Sequence, residues 1–104
     1  MTTLTNMTFE DYKSTIEKWV NTCNEAGLTY TNGKPVSRAL FKTVLGVKRS
    51  AHTQMLNGTY KRNPQCPIPM PVQQAIRFAE KLPTRSFISM VKLHIPEFEA
   101  SRNN

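Results

Sequence analysis

Three features of the sequence predict an all-α fold. Apolar residues recur at helical intervals, caps and breakers punctuate them at matching places, and only one short stretch suits a strand. With 104 residues the chain is long enough for one modest core, so 1–104 is read as a single domain of about five helices.

The first helix follows Thr8, an N-cap residue, and carries Phe9, Tyr12, Ile16, Trp19, Val20 and Cys23 on one face. Glu10 and Asp11 fall in its first turn, where they suit the helix dipole, and Gly27 stands where a C′ residue belongs. Residues 28–36 break the pattern. Tyr30 and Thr31 favour strand, Asn32-Gly33 is a hairpin turn signal, and Pro35 limits any partner strand to an edge, so a loop or minimal hairpin is expected. Ser37 is expected to cap a short second helix over 38–45, which Gly46 breaks. A third helix is expected over about 48–57, closed by Asn57-Gly58. Four prolines between 64 and 71 exclude regular structure there and make a stiff connector. Pro71 is suited to the first position of a fourth helix over about 71–82, buried through Val72, Ala75, Ile76, Ala79 and Leu82. Thr84 is expected to cap a C-terminal helix over about 84–95, with Phe87, Ile88, Val91 and Ile95 inward. Pro96 is expected to end it and leave 97–104 frayed.

Charge narrows the function. Fourteen Lys and Arg against seven acids give +7, and residues 26–79 contain eight cations and no acid. A segregated basic block of this kind attracts a polyanion. The mean hydropathy of −0.46 is that of a soluble globular chain, and no apolar run approaches the roughly 18 residues of a membrane span. No secretory signal is visible in the first residues, and Cys23 and Cys66 lack metal-type spacing, so a reducing cytoplasm is expected. Two histidines, two cysteines and few acids offer no nucleophile–base pair or paired carboxylates. No enzyme activity, catalytic residue, metal or cofactor is expected.

Two short helices joined by a glycine turn make a helix-turn-helix unit, about 37–58, whose second helix can enter the major groove. Leu45-Gly46-Val47, Ser50-Ala51, Thr53-Gln54-Met55-Leu56 and Asn57-Gly58 resemble the Cro/C1-type, lambda-repressor-like DNA-binding proteins of phages and bacteria. "PIPMPVQQAIRFAEKL" (67–82) resembles that family's proline-led fourth helix. The resemblance covers about 37–82 and implies a transcriptional regulator. Lys42 stands where the family has alanine; its stem can pack while its ammonium reaches a phosphate. Lys48 replaces the usual capping serine, which would delay the third helix to Ser50. His52 fills a slot where the family buries valine. Its ring is expected to pack there, with a nitrogen on a backbone carbonyl, and valine should serve as well; a pH-sensitive or base-contacting role is the alternative.

On this reading Arg49, Ser50, Thr53, Gln54 and Asn57 face base edges in double-stranded DNA. Arg38, Lys42, Lys48, Tyr60, Lys61 and Arg62 would meet phosphates. A repressor bound to a two-fold site is expected, because one short helix reads too few base pairs alone. A homodimer joined by the first or last helix follows. Two alternatives stand beside it. One is an interaction module such as an antitoxin, with a toxin or anti-repressor as protein partner. The other is a nonspecific nucleic-acid binder, disfavoured because the aromatic residues fall on helix core positions rather than on a stacking platform.

Overall fold

A computed structural model describes residues 7–60 and 66–102. The fold is all-α, with five helices among the described residues: α1 (Phe9–Glu25), α2 (Leu40–Leu45), α3 (Arg49–Asn57), α4 (Met70–Glu80) and α5 (Thr84–Arg102). Lys61, Arg62 and the start of the proline connector, 63–65, lie outside the described residues. No described helix is long and apolar enough to cross a membrane.

α1 begins as its sequence dictates. The Asp11 amide donates to Thr8 Oγ1 at 3.1 Å and the Thr8 amide to Asp11 Oδ2 at 2.9 Å. That capping box satisfies two of the amides a helix start leaves open. Tyr12, Ile16, Trp19 and Cys23 then point inward. Trp19 joins three helices, its ring centroid 5.5 Å from Phe41 of α2 and 5.3 Å from Phe87 of α5. Between α1 and α2 the chain makes a single antiparallel bridge, Thr29 to Pro35, and this minimal hairpin is the only strand pairing among the described residues.

Three expected boundaries move. α2 starts at Leu40, not at 38, and Ser37 does not cap it. The Ser37 hydroxyl is instead 2.9 Å from the Tyr30 hydroxyl, and residues 37–39 form a tight turn closed by Leu40, Phe41 and Lys42 amides donating three residues back. α4 starts one residue before Pro71, at Met70, with Pro69 as its N-cap. The largest shift is at the end. Pro83, not Thr84, accepts the Phe87 amide at 2.9 Å, and α5 runs through Pro96 to Arg102.

Tertiary anchorage explains that last departure. Pro96 is exposed, so the Lys92 carbonyl, which loses its helical donor, lies on the side facing water. Two residues beyond the proline, Phe98 is 1 % exposed and stacks on Tyr30 at 5.5 Å and 18°. Glu99 then accepts from the Thr31 amide at 3.1 Å and from the Thr31 hydroxyl at 2.6 Å. The hairpin loop grips the helix end.

A buried amide ties down the connector. Gln73 of α4 is fully buried; its Nε2 donates to the Ile68 carbonyl at 2.8 Å, and its Oε1 accepts from the Met7 amide at 3.2 Å and Arg77 Nη2 at 3.0 Å. Across the surface, Lys18 of α1 pairs with Glu80 of α4 at 2.7 Å.

Candidate nucleic-acid interface

The turn between α2 and α3 depends on one glycine. Gly46 has φ 69°, the left-handed region that a Cβ disfavours, and allows the Val47 amide to donate back to the Lys42 carbonyl at 2.8 Å. α3 leaves this turn at Arg49, so it neither begins at Lys48 nor waits for Ser50. Lys48 is its extended N-cap residue and contributes no side-chain cap. Gly58, φ 74°, closes the helix, with the Thr59 amide on the Gln54 carbonyl at 2.8 Å.

Nine residues of α3 divide by side. His52 and Met55 are buried, Ala51 and Leu56 half-buried, and Arg49, Ser50, Thr53, Gln54 and Asn57 exposed. The five residues expected to read bases therefore share the outward side of one helix. α3 is held by packing against α1.

The cations divide as well. Arg38, before α2, and Lys48, between α2 and α3, are exposed, while Tyr60 is half-buried against the core. Lys42 has a partner that the sequence did not suggest: its ammonium lies 5.1 Å from the centroid of the Phe98 ring, on the α5 side. Two grooves flank the ridge formed by Leu56 and Asn57. One, of about 330 Å³, is lined by Ser37, Arg38, Ala39, His52 and Thr53. The other, of about 640 Å³, is lined by Thr8, Phe9, Glu10, Lys13 and Gly58. Lys13 was not among the sequence candidates. Only the packing of α1 on α3 brings it beside Asn57, forty-four positions on in the chain, and nothing local marks it.

Beneath this surface His52 is 4 % exposed. Its Nε2 is 3.2 Å from the Arg38 carbonyl and its Nδ1 is 2.7 Å from the Tyr12 hydroxyl. A carbonyl only accepts, so Nε2 carries the proton and Nδ1 accepts from the phenol. The backbone carbonyl was foreseen; the Tyr12 partner, forty residues away, was not. Burial holds the His52 pKa below the usual imidazole range. The bond to the Arg38 carbonyl opposes this shift, and the charges of Lys42 and Arg38 add to it. Burial also raises the Tyr12 phenol far above its ordinary value, so both groups are neutral around pH 7.

Among the described residues no three His, Cys, Asp or Glu side chains cluster as a metal site. Cys23 and Cys66 are separate free thiols, and burial pushes Cys23 up to about 11. Comparison with known proteins gives no match, whether to a family model, a curated protein or a solved structure.

Proposed function

We propose that this chain is a sequence-specific DNA-binding regulator of the helix-turn-helix kind, without catalytic activity, that acts in the cytoplasm as a repressor. On this reading α3 enters the major groove, and two copies bind a two-fold operator. One observation carries the proposal: Arg49, Ser50, Thr53, Gln54 and Asn57 all lie exposed on a single helix whose opposite side is seated in the core. Every one of these side chains can hydrogen-bond to a base edge, Arg49 to guanine and Gln54 to adenine above all. The absence of acids from 26–79 leaves the α2–α3 surface attractive to phosphates, with Arg38, Lys48, Lys61 and Arg62 as their partners and Lys42 and Tyr60 further inside.

Binding titrations on matched and scrambled duplexes, at several salt concentrations, test the reading. The matched site is first selected from random DNA. Arg49→Ala and Gln54→Ala should each cost about 1–3 kcal/mol on the matched site and relax preference at one base position. Lys48→Ala, Lys61→Ala and Arg62→Ala should weaken both duplexes alike and flatten the salt slope by about one each. Equal losses on both duplexes for Arg49→Ala would make the protein a nonspecific binder and sink the repressor reading.

A second reading has one observation in its favour. Phe78 and Met70, 69 % and 42 % exposed on α4, are large apolar side chains open to solvent, as an interaction module such as an antitoxin requires. A toxin-like reading frame beside the gene would favour it.

A further inference from the structure

The tight turn at 37–39 holds Arg38 beside the reading helix. Its three carbonyls accept the Leu40, Phe41 and Lys42 amides at the start of α2, and its cap residue, Ala39, has no polar side chain. Two rings hold it from outside. On one side the Ser37 amide donates to the Tyr30 hydroxyl at 3.0 Å, and Tyr30 is stacked on α5. On the other side the Arg38 carbonyl accepts from the Phe41 amide at 3.1 Å and from His52 Nε2–H at 3.2 Å. His52 is in turn fixed by Tyr12, which is 0 % exposed, with the two rings edge to face at 5.8 Å. The chain of bonds thus runs from α1 through α3 to the backbone of an exposed cation. The imidazole also lines the 330 Å³ groove in which Arg38, Thr53 and Asn57 meet.

We propose that His52 is a positioning residue for this surface: its Nε2–H, on a ring oriented by the Tyr12 hydroxyl, sets where Arg38 stands beside α3. Its effect on DNA rests on the binding reading above, but the bonds themselves do not. A simple packing role would need neither nitrogen. Here both are used, and no buried side-chain nitrogen or oxygen among the described residues lacks a partner. The arrangement is also sensitive to protonation. Tyr12 faces the ring from α1, Arg38 from the turn and Lys42 from α2, and none of them is an acid. A second proton on Nδ1 would turn the phenol from donor to acceptor and place a charge in a site with no counter-charge.

Two measurements on the full chain test the proposal. The first is an imidazole nitrogen NMR titration from about pH 4.5 to 8. Nε2 should carry the proton, the midpoint should lie below the ordinary 6.5, and the Arg38 and Thr53 amides should shift with the same midpoint. Tyr12→Phe, which removes the hydroxyl bonded to Nδ1, should move that midpoint. Amides at Arg38 that ignore the His52 titration would overturn the positioning role, whether or not the protein binds DNA.

The second is a cycle on a random-sequence duplex. Arg38→Ala should flatten the salt slope of the parent by about one. It should flatten the slope by clearly less in the background Tyr12→Phe/His52→Val, in which the ring pair becomes apolar and the Arg38 carbonyl loses its imidazole donor. Full additivity would overturn the proposal. A parent that does not bind DNA at all would remove the function and leave the titration to decide the geometry.

Discussion

His52 has a hydroxyl and a carbonyl for neighbours and no carboxylate, so its neutral form is the folded form. The pH dependence follows from the sign. The unfolded chain takes up this proton near the ordinary 6.5, whereas the folded chain resists it to lower pH. The His52 contribution to stability is therefore complete above about pH 6.5 and is lost as pH falls toward the depressed folded value. Urea unfolding across that window should show the decline, and a variant without the imidazole should lose that part of the slope. Mutation adds a second expectation. Valine in place of His52 looks harmless from the sequence, yet it would leave the Tyr12 hydroxyl buried without an acceptor. His52→Val should then destabilise by about 1–3 kcal/mol, while Tyr12→Phe/His52→Val, with both polar groups gone, should recover most of the loss. A double variant no more stable than His52→Val would show that the phenol–imidazole bond is not the source of the cost.

At the scale of elements, what could be read from the sequence depended on how local the cause was. The Thr8 N-cap, the glycines that close α2 and α3, and the outward side of α3 arise within a few residues of chain, and all were legible. The Tyr12–His52 bond, the Lys42–Phe98 contact, the place of Lys13 and the buried Gln73 arise from packing between elements far apart in sequence, and none was. α5 is the clearest case. Proline in a helix interior costs about 3 kcal/mol, a local rule that predicts an end at 95. Burying Phe98 and binding Glu99 to Thr31 outweigh it. Phe98→Ala should accordingly cost about 3–5 kcal/mol, an effect no frayed tail can produce. Chemical unfolding measures it directly; a loss under 1 kcal/mol, on the order of a surface substitution, would return 97–102 to the status of a tail. The same packing changes what removal of 84–104 would do. Phe87, Val91, Ile95 and Phe98 all belong to the core, so the truncated chain should fail to fold rather than merely dissociate.

For the whole molecule the question is where a second copy would sit. Either α1 or α5 looked suitable from its apolar stripe. The stripe of α1 is consumed by the core, with Tyr12, Ile16, Trp19 and Cys23 each 3 % exposed or less. The inward stripe of α5 is consumed too, but that helix also turns Leu93 outward, 78 % exposed and at its midpoint. Of α1 and α5, the two helices the proposed homodimer could use, α5 is thus the one with a large, exposed apolar side chain to cover, and removing Leu93 from water twice would add about 1.5–3 kcal/mol per side chain. A charge there would forfeit that gain and oppose its own copy across a two-fold axis, without touching the core or α3. Leu93→Lys should leave the thermal midpoint within a degree or two, since surface substitutions shift stability by about 0.5 kcal/mol or less. It should shift sedimentation toward monomer and weaken binding to a two-half-site duplex, while binding to a single half-site stays the same. If the variant and the parent sediment alike and bind both duplexes alike, α5 is not the seam; if the parent is itself a monomer on the two-half-site duplex, the two-fold reading goes with it.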